Sequence, residues 1–172
     1  LHYERGLEVA KTPVPLISGT VIHGTIEALL SGMCEFRDAG SWAEQQLLTL
    51  FESADDPINL TKKYLPGVMK AVNKTPDWVW ANRNNWHVEE LMVYTTTDDS
   101  GGDVQVRMKP DLWGFLQDGN LRLVEFKTQG LDTKVAPDKA LSSYLLFNPQ
   151  HHWYGVALQD MYPDALIMYS YV

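Results

Sequence analysis

The 172-residue chain is long enough for one full hydrophobic core and short for two comfortable domains. Apolar residues make up 45% of it and aromatics 11%, which excludes a disordered tail. A net charge of −8 counts mildly against nucleic acid as a partner, because phosphate binding usually needs a positive footprint, and the single cysteine, Cys34, excludes an internal disulfide framework and any four-cysteine zinc or iron–sulfur site.

The single cysteine fits a reducing, cytoplasmic compartment; no apolar run reaches the length of a membrane span and no secretory signal pattern is visible. The first residue is Leu1, as in a fragment or a processed chain. Charge is unevenly spread. Residues 1–59 hold three basic and nine acidic side chains, whereas Lys62, Lys63, Lys70, Lys74 and Arg83 face only Asp77 over the next stretch. A local basic face and a solvated helix surface both fit that run.

In chain order, residues 13–18 read as an extended lead-in. Val21, Ile22, Ile26, Leu29 and Leu30 then have helical spacing, with Gly32 as the stop. Ser41 followed by Glu44 has the pattern of a capping box opening a helix from 41 to 52. A third helix is expected over 59–72, with Pro66 as a kink, before "NKTPD" breaks the chain. The stretch 86–97, rich in β-branched and aromatic residues, reads as one strand, and the alternation over 104–116 as another. "QDGN" at 117–120 is a hairpin turn leading into a strand at 121–127. Residues 128–147 read as a long, partly mobile loop. Asn148-Pro149 starts a helix through about Met161, and 165–172 is a closing buried strand. This order predicts one α/β or α+β domain with a mixed sheet and a helical insertion at 33–76.

The chemistry-bearing residues gather around the hairpin. If 104–116 and 121–127 run side by side, Asp111 lies near the Glu125–Lys127 end, and Glu125 and Lys127, two apart on a strand, share a face. Two carboxylates and a lysine can be plain charge pairing of little energetic weight. They can equally hold Mg²⁺ or Mn²⁺ and assist attack of water on a phosphate. The apolar Leu123, Val124 and Phe126 around the charges mark the strand as largely buried, where ionised groups are costly and more often functional.

Pro110-Asp111 followed by "EFK" at 125–127 resembles the signature of the PD-(D/E)XK nuclease superfamily. Gln150 and Tyr154 in "NPQHHWY" resemble the QxxxY motif of its RecB-like exonuclease branch. "GTVIHGTIEALL" at 19–30 resembles that branch's first motif, and "EFKTQ" its D-Y-K-T-G stretch, with Gln129 in place of the usual glycine. The resemblance runs from Gly19 to Tyr154 and implies a restriction-endonuclease-like mixed sheet flanked by helices. It implies a divalent-metal-dependent deoxyribonuclease, with exonuclease activity favoured, acting on DNA in recombination, repair or phage DNA processing.

By the same resemblance His23, Asp111, Glu125 and the carbonyl of Phe126 are metal ligands, Asp111, Glu125 and Lys127 are catalytic, and Gln150 and Tyr154 contact DNA phosphates. Glu90, or its neighbour Glu89, stands where these nucleases often carry a further glutamate. Oligomeric state is left open, and a nucleic-acid-binding module of the same fold without catalysis is the alternative. His151 and His152 read as surface or packing residues. Trp78, Trp80 and Trp86 read as core first and as base-stacking residues second.

Overall fold

The computed structural model describes residues 14–126 and 149–171, and contacts divide the chain into two compact units, residues 1–75 and 76–172. The division falls at the end of the helical segment marked out by sequence at 33–76. The architecture is mixed α/β, and among the described residues no helix is long and apolar enough to cross a membrane.

The first unit holds three mutually packed helices: α1 (Val14–Leu30), α2 (Ala39–Leu50) and α3 (Pro57–Val72). Helix α1 begins inside the stretch expected to be extended. Pro15 does not prevent this, because amides of a first helical turn have no intrahelical acceptor to lose. Gly32, at φ +74°, takes the left-handed conformation that ends the helix, as its position suggested. Val21, Ile26 and Leu29 of α1, Ala43 and Leu47 of α2, and Val68 and Val72 of α3 are buried.

The Ser41–Glu44 capping box does not form, since both residues lie inside α2. A 3-10 turn at Phe36–Asp38 runs directly into the helix, and the Ala39 amide bonds to the Phe36 carbonyl. The signal for α3 stands two residues earlier than expected. Asp56 accepts from the Asn59 amide at 3.1 Å, and Pro57 takes the first helical position.

The second unit opens with a short helix, α4 (Asp77–Ala81). Then come β1 (His87–Val88), β2 (Met92–Thr97), β3 (Asp103–Met108), β4 (Leu112–Phe115), β5 (Leu121–Glu125), α5 (Pro149–Met161) and β6 (Ile167–Tyr171). Each of the two long expected strands is in fact two. The stretch 86–97 breaks at 89–91, where Glu89 has φ +50°, and 104–116 breaks at Lys109-Pro110-Asp111. Proline has no amide hydrogen for a ladder, so a strand running through Pro110 is interrupted there. The pieces go to different sheets. Strands β2 and β3 form an antiparallel ribbon, while β1, β4, β5 and β6 make a four-stranded sheet in that order.

Within the four-stranded sheet β1, β4 and β5 are antiparallel, and β6 returns parallel to β5 after α5. Helix α5 ends at Met161 and its start at Pro149 matches expectation; Asn148 and the loop expected at 128–147 lie outside the described residues. One apolar cluster joins Trp113, Leu121 and Leu123 of the sheet to Tyr154, Ala157 and Leu158 of α5 and to Met92 and Met108 of the ribbon. Side chains alternate along β5, so Arg122 points to the opposite face, where its guanidinium lies over the Trp78 ring at 4.9 Å. On β4, Gly114 lets the backbone of Asn85 approach: a Cβ there would stand 2.0 Å from the Asn85 carbonyl oxygen.

The β4–β5 turn carries Gly119 at φ +80°, with the Asn120 amide donating to Asp118 Oδ1 at 3.0 Å. That bond, with the Asn120 side chain's own, holds the Asp118 carboxyl below its ordinary value of 3.8. A depressed carboxyl stabilises the fold above its ordinary pKa, and this contribution is lost as pH falls through the lower folded value. An NMR titration should therefore show the Asp118 carboxyl and the Asn120 amide sharing a midpoint below 3.8; a midpoint at or above it would remove the turn's electrostatic support. Gly114→Ala should lower unfolding stability by about 3 kcal/mol or more in urea denaturation, as overpacking against immovable backbone does. An unchanged midpoint would show that Asn85 can move away.

Candidate active site at the ends of β1, β4 and β5

The break that separates β3 from β4 places Asp111 at a junction. One residue before β4, it turns its side chain to the neighbouring strand and accepts a hydrogen bond from the Phe126 amide on Oδ2 at 2.6 Å. Its carbonyl accepts the amide of Glu89, just past β1, at 3.0 Å. Asp111 thus joins three strand ends.

Opposite it lies Glu125. The register pairs Leu112 with Val124, and one further step sets Asp111 across from Glu125. Glu125 is the last residue of β5, is 4% exposed, and shares its face of the strand with Leu121 and Leu123. An ionised carboxylate at that depth persists only where hydrogen-bond donors or a cation meet it. Phe126, also buried, continues the chain on the Asp111 side.

Helix α5 supplies the third component. Tyr154 is buried in the apolar cluster, and its hydroxyl oxygen accepts the Lys109 amide at 3.3 Å, two residues from Asp111. The Lys109 side chain pairs with the Glu89 carboxylate. Glu89 itself sits in the left-handed region, an uncommon conformation for a residue with a Cβ. Such positions cost on the order of 1–3 kcal/mol and gather at functional sites.

The structure brings Asp111, Glu125, Phe126 and Tyr154 into one region of the second unit. Gln150 lies on α5 one turn before Tyr154. Lys127 lies outside the described residues. His23 is half-buried in the middle of α1, in the first unit, beside Gly24, where a Cβ would stand 3.3 Å from the Trp42 ring of α2. Of the two adjacent glutamates, Glu90 bonds to His87 Nδ1 at 2.5 Å, while Glu89 contacts the Asp111 segment. The sequence named Glu90 first, and the geometry favours Glu89 as the neighbour of the carboxylates.

Sequence reasoning passed over Lys109 and His87. Lys109 was legible as the residue before Pro110. His87 had only the three-residue step to Glu90 as a signal, since its other partner, Trp113, is remote in sequence.

Among the described residues, no group of three or more His, Cys, Asp or Glu side chains could hold a metal ion. The donors that gather are two carboxylates, with the Phe126 backbone beside them. Oxygen donors of this kind suit hard divalent cations such as Mg²⁺ and Mn²⁺, which take one or two carboxylates and keep several waters.

Asp111→Ala deletes the acceptor for the Phe126 amide, whereas Asp111→Asn keeps an amide oxygen there and removes the charge. Urea denaturation should give a loss of about 1–3 kcal/mol for alanine and less for asparagine. Equal losses would mean that the hydrogen bond does not hold the strand ends together.

No protein-family model, curated protein or solved structure matches this chain.

Proposed function

We propose that this chain is a divalent-metal-dependent deoxyribonuclease of the RecB-like PD-(D/E)XK type, with a restriction-endonuclease-like sheet. One observation carries the reading. The aspartate of "PD", one residue before β4, accepts a hydrogen bond from the amide of Phe126 in "EFK", directly after Glu125 at the end of β5. The order of elements supports it: a leading helix, antiparallel strands, then α5 and a strand parallel to β5. So does Tyr154, whose hydroxyl reaches the segment carrying Asp111.

Asp111, Glu125 and the Phe126 carbonyl would hold Mg²⁺ or Mn²⁺. The ion supplies Lewis-acid stabilisation of phosphate charge and activation of water. The chain's own residues do the rest. Asp111 is fixed by the Phe126 amide, so its carboxylate is oriented before substrate arrives. Glu125, shielded from solvent, acts where electrostatic interactions are strongest. Lys127 would neutralise charge on the phosphate as water attacks phosphorus and the ester oxygen departs, and would accept or relay the water's proton. Tyr154 positions the Lys109–Asp111 turn, and on the resemblance of its motif Gln150 would contact the DNA backbone. Localised contacts to phosphate are compatible with an acidic total charge.

The test is cleavage of labelled single- and double-stranded DNA with Mg²⁺ or Mn²⁺. Wild type should cut at least one substrate and lose activity on chelation. Lys127→Ala should lower the rate on the order of 10²–10³-fold, and Asp111→Ala at least as much. DNA binding without metal-dependent cleavage would instead support the catalytically silent binding module. Neither binding nor cleavage would overturn both.

A further inference from the structure

Next to the carboxylates lies an aromatic arrangement for which the proposed reaction has no use. His87 of β1 pairs across the sheet with Trp113 of β4. Their rings are stacked, with centroids 3.9 Å apart and planes 10° from parallel. Trp113 is buried, tilted against Tyr162 at 6.3 Å and embedded in the core cluster, so it cannot turn away. The His87 ring is held a second time at its edge, where Nδ1 meets Glu90 Oε2. Two independent contacts therefore fix the orientation of a side chain on the surface.

That side chain is 48% exposed. One face of the imidazole lies flat on Trp113, so the exposed area belongs to the outer face and the rim. Trp113 is two residues beyond Asp111 on the same chain, about 6–7 Å along the strand at ordinary rise.

A flat, immobile π-face open to solvent is what an unpaired nucleobase needs. Stacking of a base on an aromatic side chain tolerates any base, because every base has a π-face. Bases inside a duplex already stack on their neighbours and offer no free face, whereas unpaired ones can be splayed out onto aromatic or imidazole rings. The Glu90 carboxylate at the rim, itself 53% exposed, can accept from an exocyclic amino group.

We propose that His87, backed by Trp113 and oriented by Glu90, is a stacking platform for an unpaired base flanking the Asp111–Glu125 pair. The substrate of the site is accordingly single-stranded DNA or a frayed end. This deepens the nuclease reading and rests on it.

The test compares binding of short fluorescein-labelled oligo(dT) and of an abasic backbone of the same length, by fluorescence anisotropy in chelator-containing buffer. Wild type, His87→Ala, His87→Phe and Glu90→Gln are measured on both. His87→Ala should weaken oligo(dT) binding roughly 5- to 150-fold, the range for losing one base stack. It should leave binding of the abasic strand unchanged. His87→Phe should restore affinity to within a few-fold, and Glu90→Gln should fall between.

Equal losses on both strands, or no loss on either, would overturn the platform. So would a failure of phenylalanine to rescue, since that assigns His87 to proton or hydrogen-bond chemistry. If wild type cleaves DNA while His87→Ala binds both strands normally, the platform falls and the nuclease reading stands. If wild type neither binds nor cleaves DNA, both fall.

Discussion

The hydrogen bond from the Phe126 amide to Asp111 Oδ2 is the contact on which the candidate site depends. It spans the open end of the β4–β5 hairpin, where the ladder between Leu112 and Val124 has just ended. Without it the ends of β4 and β5 would be free to splay, and Glu125 would be held only through β6. It also couples the sheet to β1, because the Asp111 carbonyl takes the Glu89 amide. One side chain and its own carbonyl therefore organise three strand ends, using groups that a broken strand would otherwise leave to water.

The arrangement exists because the chain departs from regular structure twice, at Glu89 and at Pro110. The first ends β1 and diverts the chain into the β2–β3 ribbon, and the second ends β3 and returns the chain to the four-stranded sheet. The ribbon's Met92 and Met108 then join the cluster beneath Trp113 and Leu123. The irregular residues thus lie between two well-packed regions that fix them. Strain at Glu89 is tolerable for that reason, and flexible linkers at the same places would not aim carboxylates.

Much of this was legible in the sequence where a local rule carried the information. Asp118-Gly119 set the hairpin turn, Gly32 the end of α1, and Pro149 the start of α5. The order of motif residues brought Asp111, Glu125 and Tyr154 to attention before any geometry was known. The errors share a cause. Alternating apolar residues continue across 86–97 and 104–116, and periodicity cannot register a single left-handed residue such as Glu89. Pro110 was a visible signal and was outweighed by the pattern around it. Ser41 and Glu44 have capping spacing, yet the preceding 3-10 turn had already begun the helix. The His87–Trp113 stack was not legible, because cross-strand register decides it.

The parallel pairing of β5 with β6 bears on how the site comes into being. Strands β4 and β5 are joined by a tight turn, so their pairing closes a short loop. Strand β6 reaches β5 only after a long excursion through α5, and its register sets Tyr171 beside Glu125. Loop-closure entropy makes such a non-local pairing expensive until other contacts reward it, which places it late in folding. The carboxylate pair is therefore assembled early on a solvated hairpin and shielded afterwards. In kinetic terms, the polar centre is in place before the surroundings that make it unusual.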